Sequence, residues 1–96
     1  MVESISMSQL KELLGGIKLI DIRPIVNYNN NHIPGAQNIP QTKLLLAPEK
    51  YLNKFDTYYI YCQRGHASAN VVSILNNSGY KTVNVEGGYE RWILMN

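Results

Sequence analysis

The chain has 96 residues, nine basic and seven acidic side chains, a formal net charge of +2 and one cysteine. That length predicts one domain over residues 1–96, and a hydrophobic content of 45% is too high for disorder. The single cysteine excludes an internal disulfide, the scattered Lys and Arg exclude a basic nucleic-acid stripe, and the longest apolar run, 44–47, is far below the ~20 residues of a membrane span.

The N-terminal stretch MVESISMSQLKELL has no basic region followed by an apolar one, so it does not read as a signal peptide. A reducing, cytoplasmic setting is the expectation. Ser6 followed by Gln9 reads as a capping box. Leu10, Leu13 and Leu14 then recur at helical spacing until Gly15 and Gly16 stop the helix. Residues 17–22 (IKLIDI) fit a buried strand with Asp21 at its end and Arg23 just beyond. Pro24 suits the first turn of a short helix, and Asn29, Asn30 and Asn31 end it. His32-Ile33-Pro34-Gly35-Ala36 is a turn by composition, and Asn38, Ile39 and Pro40 form a short extended segment.

Residues 42–47 and 48–55 predict two short helical stretches. Residues 57–61 (TYYIY) are rich in β-formers and predict a strand, with Cys62 directly after it. A loop over 63–67 leads into a helix from Ser68, with Val71, Ile74 and Leu75 on one face and Gly79 as its stop. Residues 82–85 predict a further strand, Gly87 and Gly88 a turn, and 89–94 a last helix around Trp92. Strands alternating with helices imply an α/β fold with a parallel sheet covered on both faces. Its active site is then expected beyond the carboxyl ends of the strands, where both Arg23 and Cys62 fall.

A free cysteine is by default a buried, inert hydrophobe. The context of Cys62 argues otherwise, because a strand ends, the cysteine follows, a glycine-containing loop turns and a helix begins. The first N–H groups of a helix lack internal partners, and the helix dipole adds about half a positive charge at that end. A loop that curls over the sulfur aims those donors at one point, as phosphate-binding loops do, and so favours thiolate chemistry. Arg64 and His66 add positive potential, and Gly65 permits the tight turn.

Three segments carry a resemblance that spans essentially the whole chain. Asp21-Ile22-Arg23, Tyr28 and the stretch from His32 to Ile39 form the first. Cys62-Gln63-Arg64-Gly65-His66-Ala67-Ser68 fits Cys-x-x-Gly-x-x-Ser, and Val85-Glu86-Gly87-Gly88-Tyr89-Glu90-Arg91-Trp92 fits Gly-Gly-x-x-x-Trp. In order and spacing they resemble a single-domain rhodanese. The resemblance implies a five-stranded, mainly parallel sheet flanked by helices on both faces. It also implies sulfur transfer through a persulfide on Cys62, in two half-reactions. The donor would be a small sulfane-sulfur compound such as thiosulfate, and the acceptor cyanide, a thiol or a protein. The loop residues Gln63, Arg64, Gly65, His66, Ala67 and Ser68 would cradle the charged sulfur, with Asp21 and Arg23 supporting the loop.

This chain departs from the family pattern at Ala67, where many members have Arg, and at Asn27 and Asn31, where Glu and Gly are frequent. Two rival functions stay open: a non-catalytic interaction module, and a phosphatase or arsenate reductase. The latter requires an arginine six residues after the cysteine to clamp oxyanions, and Ser68 stands there. Cys62 and His66 are close in sequence, but only His32 remains as a further nitrogen ligand, whereas structural zinc needs four ligands; no metal or other cofactor is expected.

Overall fold

The computed structural model describes residues 3–96, and its radius of gyration is 12.0 Å. Five strands form one sheet: β1 (Ser4–Ile5), β2 (Lys18–Asp21), β3 (Ala36–Asn38), β4 (Thr57–Tyr61) and β5 (Lys81–Val85). Their spatial order is β1-β5-β4-β2-β3, and every pairing is parallel. Parallel neighbours require crossover connections, and helices α1 (Met7–Leu13), α2 (Ile25–Asn30), α3 (Gln41–Leu46) and α4 (His66–Asn77) lie between the strands, with α5 (Gly88–Met95) after β5. Among the described residues, no helix is long and apolar enough to cross a membrane.

Strand periodicity divides the core. Tyr58, Ile60 and Cys62 point to one face, where they pack with Ile20, Leu44, Val71, Val72 and Leu75. Tyr61 and Leu19 point to the other, against Met7, Leu10, Ile33, Val85 and Tyr89. The central strands are therefore buried on both faces, which explains why residues 17–22 read as an apolar run and TYYIY as a run of β-formers rather than as alternations.

Local sequence accounts for most boundaries. Ser6 and Gln9 form the reciprocal capping box at α1. The extended stretch expected at residues 38–40 begins earlier, at Ala36, because the turn at Gly35 (φ +87°) already returns the chain to the sheet. Ile39 still donates to the Asp21 carbonyl at 3.0 Å, so hydrogen bonding from β3 to β2 continues past Asn38.

Two expectations are corrected. The helix expected over 48–55 is a single 3₁₀ turn at Pro48–Lys50. The Asn53 side chain takes the N–H groups of Phe55 and Asp56 at 2.9 and 2.8 Å, an Asx arrangement that competes with helix continuation. The helix expected from Ser68 starts at His66, which makes Ser68 its third residue. The two-residue strand β1 has no sequence signal of its own; Ser4 and Ile5 are too few to show a periodicity, and their pairing with Asn84 and Val85 is tertiary.

Leu44 is fully buried where α3 meets the sheet. Leu44→Ala is expected to lower the unfolding free energy by about 2–5 kcal/mol, measured as a lower urea midpoint with an unchanged slope.

Candidate active site

The carboxyl end of β4 delivers Cys62 to the start of α4. Gly65 is the residue before that helix, in the left-handed region at φ +101°, and it has no side chain with which to cap it. The cysteine sulfur takes the capping place. Cys62 Sγ accepts the Gly65 N–H at 3.1 Å and the Ser68 N–H at 3.3 Å. A cap ordinarily accepts from the second or third helical residue, and Ser68 is the third. Once a sulfur there is anionic, each such hydrogen bond is worth about 1.5–3 kcal/mol. The thiol in turn donates to Ser68 Oγ at 3.2 Å, and Ser68 Oγ donates to Asn84 Oδ1 at 2.5 Å. Asn84, on β5, also reaches the Gly65 carbonyl through Nδ2 at 3.4 Å. Ser68 and Asn84 are both buried.

The loop is held from outside by the start of α5. Tyr89 N–H donates to the Cys62 carbonyl at 2.9 Å, and Glu90 N–H donates to the Gln63 carbonyl at 3.0 Å. These are first-turn donors of α5 with no intrahelical partner. The approach requires glycine: a Cβ on Gly88 would overlap the Cys62 carbonyl and lie 2.8 Å from the Gln63 carbonyl, and a Cβ on Gly65 would lie 2.9 Å from Gly87 N. The glycine pair and the loop glycine are thus parts of one contact.

Asp21 and Arg23 form a buried ion pair beside the loop, with Arg23 5% exposed and Asp21 fully enclosed. Arg23 Nη2 and Nε donate to Asp21 at 2.8 and 3.1 Å, and the Arg23 backbone N–H adds a further bond at 2.9 Å. Tyr61 O–H donates to Asp21 Oδ2 at 2.6 Å and accepts the Ile33 N–H at 3.1 Å. The guanidinium lies 4.2 Å from the Tyr89 ring centre. It donates to Asn31 O at 2.6 Å and to Gln63 Oε1 at 3.2 Å. Burial opposes the Arg23 charge, but the hydrogen bonds and charge of Asp21 outweigh it and raise the guanidinium above its ordinary value. Burial, and then the hydrogen bond to Asp21, push the Tyr61 phenol well above its ordinary value of 10.0.

A cleft of about 290 Å³ opens on Cys62, lined also by Arg23, Gln63, Arg64, His66 and Ala67. The sequence-predicted residues therefore gather at one place, in different positions. Gly65 and Ser68 supply N–H groups to the sulfur, whereas Asp21 stands behind Arg23 and away from it. Arg64 turns outward to an exposed pairing with Glu90 at 3.0 Å, and His66 is exposed. His32 stacks on Tyr28 with ring centres 3.8 Å apart, and its Nδ1 bonds the Tyr28 carbonyl at 2.9 Å, which braces the turn. Sequence reasoning missed Asn84 and the Tyr61 hydroxyl. The available signal for Asn84 was a polar side chain between two valines in a buried strand; Tyr61 reads as strand packing, and its hydroxyl contact is set by the tertiary fold.

The comparisons with known proteins agree with this architecture. Residues 6–95 match the model of the rhodanese-like domain. The chain is 36% identical to YtwF of Bacillus subtilis (strain 168), covering 95% of this chain and 90% of that one. It is 37% identical over 71 residues to the thiosulfate sulfurtransferase PspE of Escherichia coli (strain K12), covering 72% and 67%. Among solved structures, SSP1007 of Staphylococcus saprophyticus superposes with a TM-score of 0.87 at 36% identity, covering 94% of this chain and 92% of that one. The human single-domain sulfurtransferase TSTD1 superposes with a TM-score of 0.87 at 25% identity, covering 100% and 99%. The chain belongs to the rhodanese-like domain family.

Gly88→Ala is expected to destabilise the protein and to speed alkylation of Cys62 in the native state, because the loop must retreat from the added Cβ; a native-state rate equal to wild type would contradict the contact. Tyr61 gives a pH prediction. Its native pKa is raised, so the unfolded chain loses this proton first as pH climbs, and stability falls above about pH 10. Tyr61→Phe is expected to cost about 1–3 kcal/mol at neutral pH, because Ile33 N–H loses its buried acceptor. Its stability is also expected to decline less steeply than wild type between pH 10 and 11, as followed by urea unfolding.

Proposed function

We propose that this protein is a sulfurtransferase that carries sulfane sulfur as a persulfide on Cys62. The observation that carries the reading is the pair of N–H groups, from Gly65 and Ser68, converging on Cys62 Sγ at the mouth of a cleft. In the first half-reaction the Cys62 thiolate attacks the outer sulfur of a donor. The donor's bond to that sulfur breaks, its electron pair leaves with the remainder, and a new S–S bond forms at Sγ. In the second, an acceptor such as cyanide, a small thiol or a protein thiolate attacks the terminal sulfur and restores the Cys62 thiolate. Fixed N–H groups from the loop oppose the charge that develops on sulfur, at no reorganisation cost during the reaction. Two half-reactions through one covalent intermediate give ping-pong kinetics.

The names of relatives such as PspE support this reading. The position six residues after Cys62 supports it over oxyanion-ester chemistry: Ser68 is fully buried and bonded to the sulfur, and it offers no bidentate clamp for phosphate.

The test is intact mass after incubation with sulfane donors. The wild type is expected to gain one sulfur atom, to lose it on addition of cyanide, and Cys62→Ser to gain none. Absence of that mass with every donor, from folded protein, overturns the proposal; inertness in this assay and toward aryl phosphates would point to an interaction module.

A further inference from the structure

The cleft that opens on Cys62 has little positive charge to offer a donor. Arg23 is the one cation buried in its wall, and Asp21 already neutralises it. Four of the five Arg23 side-chain N–H groups are engaged: Nε and one of Nη2 with Asp21, the other of Nη2 with Asn31 O, and one of Nη1 with Gln63 Oε1, which leaves a single Nη1 N–H. Arg64 stands at the rim with its side chain 73% exposed and paired to Glu90. An exposed charge of that kind is screened and contributes little. His66 is exposed as well. At the loop position that faces the cleft one residue before Ser68, the chain has the methyl group of Ala67. The remaining wall is Ile22 and Pro24, which are apolar, and Gln41 and Gln63, which are neutral.

Thiosulfate brings two negative charges and a sulfonate that requires several strong donors. Moving such a group against a largely apolar wall whose one buried cation is already paired costs free energy unless charge-assisted hydrogen bonds replace its water. An organic body gains from the same wall by burying its carbon atoms, its terminal S–S–H group brings at most one negative charge where thiosulfate brings two, and about 290 Å³ is close to the lower end of small-molecule clefts. Resting on the sulfurtransferase reading above, we propose that the donor site is built for an organic hydropersulfide, R–S–SH, in preference to thiosulfate, and that Ala67 is the residue setting that preference.

The step balances without an added oxidant or reductant. Cys62 thiolate attacks the terminal sulfur of R–S–SH and forms the new S–S bond. The donor's S–S bond breaks and its electron pair leaves as the thiolate R–S⁻. The proton on the transferred sulfur stays with it or passes to solvent. The loop N–H groups receive the terminal sulfur in either case.

The experiment compares loading of Cys62 from thiosulfate and from the hydropersulfide of N-acetylcysteamine. Both are measured by intact mass at one ionic strength, and each rate is divided by that donor's rate with a free small thiol. Wild type is expected to favour the hydropersulfide by about tenfold or more in this corrected ratio. Ala67→Arg supplies a cation at the wall and is expected to move the ratio about tenfold toward thiosulfate, the size of one good charge contact. Corrected loading from thiosulfate that equals or exceeds loading from the hydropersulfide in wild type overturns the proposal and leaves the sulfurtransferase reading standing. An unchanged ratio in folded Ala67→Arg overturns the role of Ala67. Loading from neither donor sinks both readings. Should Ala67→Arg not fold, Ala67→Lys places a charge there on a different stem, and the wild-type ratio still decides the donor class.

Discussion

Everything at the sulfur depends on two hydrogen bonds made behind it. Tyr89 and Glu90 donate to the carbonyls of Cys62 and Gln63, so the first peptide groups of the loop are fixed with their oxygens outward. A planar peptide with its C=O directed one way presents its N–H the other way. The loop cannot flatten or reverse while α5 holds it, and its later N–H groups, at Gly65 and Ser68, stay on the sulfur. Two glycines make the approach possible, at positions 65 and 88, because side-chain atoms there would occupy the space the opposing backbone fills, while a side chain on Gly87 would meet that of Arg91. A motif at the carboxyl end of the chain is therefore a structural half of a loop some 25 residues earlier.

The second support is electrostatic. A buried ion pair gains little net stability by itself, because desolvation offsets much of the attraction. Asp21 and Arg23 are instead tied in by further bonds, to Tyr61, Asn31 and Gln63 and over the Tyr89 ring. That network ties the end of β2, the segment before β3, the end of β4 and the start of α5 to one charge pair. Removing either partner would leave a buried charge without its counter-charge, the expensive case. Arg23 thus sits in the cleft wall as a fastening, with its nitrogens turned to protein groups.

Local signals and tertiary ones divided sharply in how legible they were. The capping box at Ser6, the apolar run of β2, the β-formers of β4 and the stop at Gly79 are all written in neighbouring residues, and each is readable there. So was the placement of Cys62 between a strand and a helix, along with the three motifs. The failures share a cause. The strand β1 exists because Ser4 and Ile5 find Asn84 and Val85 across the sheet. The helical pattern at 48–55 loses to an Asn53 side chain that bonds backbone N–H groups more locally. The Tyr61 hydroxyl and Asn84 acquire roles only when strands distant in sequence become neighbours. Arg64 looked like a contributor to the site's potential, and its pairing with Glu90 depends on a helix 26 residues away.

The sulfur of Cys62 is also a piece of secondary structure. It occupies the position that a serine or aspartate side chain takes at most helix starts, and α4 has no other side-chain cap. Under the proposed function, reagent and girder are one atom. Replacing Cys62 by serine removes the sulfur but retains an acceptor for the helix N-terminus, whereas alanine removes both and lets the first turn of α4 fray. An inactive alanine variant would therefore conflate missing chemistry with a loosened helix, and only the serine variant separates them.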